Sequence, residues 1–279
     1  MINNLQGTLE LRNGIRIPGF GYGCYKAHGS ELRDALICAL ETGYLLVDTA
    51  SFYENEDMVG AVLKEVKPAR SSLFVVSKIW PSQFENPVRA LDESLAKLGL
   101  DYLDAYLLHW PGLKEKARYK AWNALLAETE KGKIRVPGVS NFLEKHLEAL
   151  EHEFGNMPFL NQIEIHPAFQ ETGLCNFCQK RGIGVMGWSP LGRAKALHNP
   201  VLADIGKVHC KTPAQIALRW QVQKNYIPLP KSVHPERVRE NANIFDFTLT
   251  DEEMRLIHSL NLPDDKGQIG KSPDVFPAD

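Results

Sequence analysis

No stretch of this sequence is apolar for long enough to span a bilayer, which takes about 20 consecutive, mostly apolar residues. The opening Met1-Ile2-Asn3-Asn4-Leu5-Gln6-Gly7 has neither the basic nor the apolar region of a secretory signal, so a cytoplasmic location is expected. Excess charge of one sign is also missing. With 32 Lys+Arg against 34 Asp+Glu the net charge is -2, which gives no broad attraction to nucleic acid or an anionic membrane. The cysteines number five, an odd count that excludes a fully paired disulfide framework. Cys175 and Cys178 form a lone C-x-x-C, but beside Leu174 and Phe177 in a helical pattern they read as core. None of the 9 histidines falls in H-x-H or H-E-x-x-H, so no metal is expected. Gly19, Gly21 and Gly23 do not keep the spacing of a dinucleotide-binding glycine fingerprint.

What remains is a chain of 279 residues, 44% hydrophobic and 24% charged, rich enough to bury a large core. A single α/β barrel uses about 250 residues, so one domain over 1–279 is expected, acting as a monomer.

The segment Thr8 to Ile17 alternates apolar and polar residues around Asn13-Gly14, a hairpin signal. Short apolar runs and helical patterns then alternate. Strands are expected at Gly19–Gly23, Leu45–Val47, Leu73–Ile79, Ala105–Leu108, Val136–Val139, Leu160–Ile165, Ile183–Trp188 and Ile227–Pro230. Helices fall between them, with Ser30 as a first cap, Pro87 and Thr212-Pro213 at helix starts, and a last capping box at Thr250-Asp251-Glu252-Glu253. The pattern predicts a (β/α)8 TIM barrel with an N-terminal β-hairpin cap and a C-terminal tail, from about Asp264, over the catalytic face. Pro137 falls inside the fifth barrel strand, where it is expected to cost a backbone donor.

Barrel enzymes work at the C-terminal ends of their strands, so polar residues just past apolar runs are candidates by position. They are Asp48, Lys78, His109, Ser140 with Asn141, Gln162 with Glu164, and Trp188 with Ser189, while Tyr53 lies in the loop after the second strand. Asp, Tyr, Lys and His together suit the reduction of a carbonyl by hydride transfer, which builds negative charge on oxygen and needs a proton donor. Tyr53 is the expected donor, with Lys78 lowering its pKa, Asp48 holding Lys78, and a neutral His109 orienting the carbonyl. Two rivals use the same residues: a lyase with Lys78 as Schiff-base nucleophile, and a barrel that binds nucleotide without turning anything over.

The motifs go further. Asp48-Thr49-Ala50-x-x-Tyr53-x-Asn55-Glu56, Lys78 with Trp80, Leu108-His109-Trp110-Pro111, Gly138-Val139-Ser140-Asn141-Phe142, Asn161-Gln162-Ile163-Glu164-x-His166-Pro167 and Trp188-Ser189-Pro190-Leu191-Gly192 resemble the signatures of the aldo-keto reductase superfamily. The resemblance covers nearly the whole chain and is nearest to the bacterial and protozoan branch with 2,5-diketogluconate, glyoxal and prostaglandin F reductases. It implies an NADPH-dependent reductase of small carbonyl compounds with Asp48, Tyr53, Lys78 and His109 as catalytic tetrad. It implies that Ser140, Asn141 and Gln162 hold the nicotinamide carboxamide, with Trp188 on the ring and Gly23, Cys24, Ser189 and Leu191 beside them. Lys231, Ser232 and Arg237 would take the 2′-phosphate, with Val233, Glu240 and Asn241 completing the phosphate and adenine site. Tyr25, Trp80 and Trp110 would wall the substrate pocket. His234 departs from the family pattern, where Arg or Thr is frequent, which weakens one expected phosphate contact.

Overall fold

Eight largely buried strands pair in parallel in chain order. In the computed structural model, which describes residues 2–263 and 266–276, these are β3 (Gly21–Gly23), β4 (Leu46–Asp48), β5 (Phe74–Ile79), β6 (Leu103–Leu108), β7 (Ile134–Ser140), β8 (Leu160–Glu164), β9 (Gly184–Trp188) and β10 (Ile227–Pro228). The Gly23 amide donates to the Pro230 carbonyl at 3.1 Å and brings the two edges together. The approach is tight, since a Cβ at Gly23 would stand 3.1 Å from the Leu229 carbonyl oxygen. The expected (β/α)8 barrel is the observed fold.

The pleat sends alternate residues to opposite faces. Leu46, Phe74, Val76, Ala105, Leu107, Val136, Leu160 and Met186 fill the barrel interior, while Val47, Val75, Tyr106, Leu108, Val139 and Val185 face the helices. The hairpin of β1 (Thr8–Glu10) and β2 (Arg16–Pro18) pairs as Asn13-Gly14 implied. Leu11 and Ile17 from it join the interior cluster and plug one end of the barrel.

Helices α1 (Gly29–Thr42), α2 (Glu56–Val66), α3 (Pro87–Leu98), α4 (Glu115–Glu130), α5 (Glu144–Phe154), α6 (Thr172–Lys180), α7 (Pro200–His209), α8 (Pro213–Gln223), α9 (Pro235–Ala242) and α10 (Asp251–His258) complete the chain. Both capping boxes expected or implied by Thr-Pro and Thr-Asp starts are present, at Thr212 and Thr250. Ser30 is not the first cap. Helix α1 begins at Gly29 with His28 at its cap and no side-chain hydrogen bond, so Ser30 lies inside the first turn. Helix α7 is an addition to the expected elements, started by Asn199, whose side-chain oxygen accepts from the Val201 and Leu202 amides at 3.0 and 3.2 Å. Pro137 brings no backbone donor to the ladder, as expected, but it does not interrupt the strand. Strand β7 runs through it, and the Pro137 carbonyl still accepts from Phe159 at 3.2 Å. The tail is ordered across the mouth of the barrel where it is described; 264–265 and 277–279 lie outside the described residues. Among the described residues no helix is long and apolar enough to cross a membrane.

Candidate active site

Strand periodicity builds the site. The interior face that carries Leu46, Phe74 with Val76, Ala105 with Leu107, Leu160 and Met186 continues two residues on to Asp48, Lys78, His109, Gln162 and Trp188, and Val136 leads through Gly138 to Ser140, four residues on. Six strands therefore deliver six polar or aromatic side chains to one rim. Pairing fixes their heights, with Asp48 opposite Gly23, Ser140 opposite Gln162 and Glu164 opposite Trp188.

Lys78 is the hub. Its ammonium donates to Asp48 Oδ2 at 2.7 Å, to the Thr49 carbonyl at 2.8 Å and to the Tyr53 hydroxyl at 3.2 Å. The other Asp48 oxygen accepts from the Gln162 amide at 2.8 Å. The His109 ring packs edge-on against Tyr53 with centroids 5.5 Å apart. Its Nδ1 is buried without a partner among the described residues. The four residues expected to act together do meet.

The electrostatics differ from the expectation in one respect. Burial, followed by the Asp48 charge, pushes the Tyr53 phenol well above its ordinary 10.0, whereas the sequence argument had Lys78 lowering it. The reason is that Lys78 stands 2.7 Å from Asp48, so a balanced pair, not a bare cation, faces the hydroxyl. Burial likewise lowers the Lys78 pKa, against the pull of Asp48. Burial and then Lys78 lower His109 well below 6.5, so its ring is neutral.

A second network supports the first. Ser140 Oγ donates to the Gln162 carbonyl at 2.8 Å, and the Asn141 amide donates to the His109 carbonyl at 2.9 Å. Trp188 Nε1 donates to Asn141 Oδ1 at 2.8 Å, which fixes the plane of the indole. Asn141 itself adopts φ +62, a left-handed conformation that Asn tolerates better than most residues.

These residues head a cleft of about 770 Å³. It is lined by Ser140, Asn141, Gln162 and Trp188, by Ser189 and Leu191, and by Lys231, Ser232, Arg237, Glu240 and Asn241. That lining offers what a dinucleotide would need: amide donors and acceptors, an aromatic face, and cations for a phosphate. Gly23 lines the cleft, but Cys24 and Val233 do not. Cys24 is wholly buried with its amide on the Asp48 carbonyl, and Val233 packs against the core. His234 sits at the cap of α9 and reaches Glu236 at 3.9 Å.

Beside the tetrad the cleft is aromatic. Tyr25, Trp80 and Trp110 line it as expected, and so do Phe52 and Phe276. Phe52 stacks on Trp80 at 3.9 Å and 13°, and Phe276 packs edge-on against Trp110 at 4.9 Å. Phe52 had a visible signal, a bulky apolar residue next to Tyr53 in a rim loop. Among the described residues no group of three or more His, Cys, Asp or Glu is placed to hold a metal ion.

The chain is similar to known proteins over nearly its whole length. The chain is 41% identical over 278 residues to glyoxal reductase of Bacillus subtilis, covering 98% of this chain and 99% of that protein. It is 42% identical over 274 residues to 9,11-endoperoxide prostaglandin H2 reductase of Trypanosoma cruzi, covering 96% and 95%. Among solved structures, a mutant form of Gox0644 in complex with NADPH superposes with a TM-score of 0.92 at 33% identity, covering 97% of this chain and 98% of that one. The family model described as Aldo/keto reductase family matches residues 21–262, nearly the whole barrel, and the chain belongs to that family.

Proposed function

We propose that this protein reduces aldehydes and ketones with NADPH and that Tyr53 gives the carbonyl oxygen its proton. The observation that carries this is the contact of Tyr53 OH with Lys78 Nζ, itself held by Asp48, at the head of a cleft long enough for a dinucleotide. The cleft fits the cofactor: Trp188 offers a fixed aromatic face, Ser140, Asn141 and Gln162 offer amide-matching groups, and Lys231, Ser232 and Arg237 offer a phosphate site. NADPH, when bound, supplies the hydride. Tyr53, its pKa raised by burial, keeps its proton until negative charge develops on the substrate oxygen. Lys78 then stabilises the phenolate, Asp48 and Gln162 hold Lys78 in place, and neutral His109 orients the carbonyl.

The relatives named as reductases of glyoxal and methylglyoxal support small dicarbonyls as the substrate class. The chain works as a monomer in this reading, since one chain supplies every group of the site. The Schiff-base alternative has burial of Lys78 in its favour, but all three ammonium donors are engaged and the side chain is 0% exposed.

The test follows NADPH oxidation with methylglyoxal, phenylglyoxal, 9,10-phenanthrenequinone and 2,5-diketogluconate in wild type and Tyr53→Phe. The variant should lose about a hundred- to ten-thousandfold in turnover while still binding NADPH. Undiminished turnover would remove Tyr53 from the mechanism.

A further inference from the structure

Glu164 ends β8 on the same interior face as Gln162, yet it makes no contact with the tetrad. Its carboxylate, 3% exposed, instead accepts the amides of Ile269 and Gly270 at 2.6 and 2.7 Å, one on each oxygen. His166 Nε2 approaches the first oxygen at 3.0 Å and fixes the side chain from behind. Two backbone donors converging on one buried carboxylate make a strong, directional attachment. The contact is close enough to demand glycine: a Cβ at Gly270 would stand 2.7 Å from the Trp188 ring and 2.9 Å from Glu164 Oε2. A second attachment lies further on, where Asp274 meets Lys145 Nζ of α5 at 2.7 Å.

Residues 269–276 are thus strapped over the substrate end of the cleft at two points, and between those points the strap presents Lys271. Its ammonium lies 5.0 Å from the Phe276 ring centroid and its side chain lines the cleft. Among the described residues no carboxylate forms an ion pair with it. The two acids lining the cleft are committed elsewhere, Asp48 to Lys78 and Gln162, and Glu240 to Thr212 at 2.7 Å. An aromatic box with the unpaired Lys271 on its strap, and with Lys26 5.5 Å from the Tyr25 ring centroid, suits a carbonyl compound that carries an anionic group on its far side.

We propose that Glu164 is a positioning residue that latches the strap, and that the latched strap makes Lys271 the recognition point for carbonyl substrates bearing a carboxylate. This rests on the reading of the cleft as a carbonyl-reducing site. It adds a residue that acts through the strap and a charge preference to that reading.

The test compares kcat/KM for 4-formylbenzoate and its methyl ester, in wild type, Lys271→Gln and Glu164→Gln, together with amide hydrogen exchange over 266–276. The ester withdraws electrons more strongly, so the quantity read is the change in the carboxylate-to-ester ratio. Lys271→Gln should lower that ratio about fivefold, the scale of a rim ion pair, and salt should lower it in the wild type. Glu164→Gln puts an amide donor against an amide donor. It should lower the ratio by a similar factor and speed exchange at Ile269 and Gly270 at least about tenfold, the local-opening signature of a lost anchor. A ratio indifferent to Lys271→Gln overturns the anion site, and unchanged exchange in Glu164→Gln overturns the latch. Failure of the wild type to oxidise NADPH with the neutral ester would sink the reductase reading instead, and the exchange data would still decide the latch.

Discussion

Lys78 and Asp48 form an ion pair at 2.7 Å with the two side chains 0% and 5% exposed, so neither charge has water to fall back on. Removing one partner of such a pair is far worse than removing both, because it leaves an uncompensated charge in the interior. Lys78→Met should therefore lower the unfolding free energy by about 3–5 kcal/mol, and adding Asp48→Leu should recover much of that loss without recovering activity. Denaturant unfolding of the two single variants and the double measures the coupling. Additive losses would show that the pair does not interact in the way its geometry implies.

The directions of two pKa shifts set the pH dependence of reduction. His109 is driven below 6.5 and stays neutral above that pH, while Tyr53 is driven above 10.0 and stays protonated below it. Neither group changes state between those ordinary values. The kcat for carbonyl reduction should carry no break from either group across that interval, and an alkaline decline that begins below 10.0 belongs to Lys78, whose pKa burial lowers from 10.5. A break near neutrality in wild type that disappears in His109→Asn would show that His109 titrates in the working range.

What could be read from residues alone follows physical lines. Asp48, Lys78 and His109 are legible because period-two alternation in a buried strand carries an inward residue to the rim, whatever the loops do. The hairpin is legible from Asn13-Gly14, since its register is set locally. The Glu164 latch is not, because its partners Ile269 and Gly270 lie 105 and 106 residues away and no local period links them. The direction of the Tyr53 shift was also out of reach. It depends on how deep the hydroxyl lies and how closely Asp48 balances Lys78, and both are properties of the closed barrel. Helix α7 had a usable signal in Asn199-Pro200, a cap followed by a first-turn proline, that the strand count left aside.

Trp188 is held by its indole nitrogen, which donates to Asn141 at 2.8 Å. Trp188→Phe keeps an aromatic face but drops this bond and leaves Asn141 Oδ1 with one partner fewer. A neutral hydrogen bond is worth about 1 kcal/mol, so NADPH should bind about fivefold more weakly with kcat reduced little. Trp188→Ala should lose the stacking surface as well and bind more weakly still. Fluorescence titration with NADPH separates the two variants, and equal affinities for wild type and Trp188→Phe would show that the fixed ring plane does not matter for binding.

Lys231 and Arg237 line the cleft, and their substitution tests the preference for NADPH over NADH. Burial lowers the Lys231 pKa, and Lys26 adds to that effect while Glu31 opposes it. A cation in such a place gains when an anion docks beside it, because the anion restores the charge balance that burial disturbs. Charge-assisted hydrogen bonds contribute about 1.5–3 kcal/mol each, so Arg237→Ala should raise the Kd for NADPH by roughly tenfold to a hundredfold. NADH has no 2′-phosphate, and its Kd should move less than about threefold. Parallel titration of both cofactors with wild type, Lys231→Ala and Arg237→Ala gives the answer directly. If both Kd values rise together, these side chains grip a part of the dinucleotide common to the two, and the choice between cofactors must be made elsewhere along the cleft.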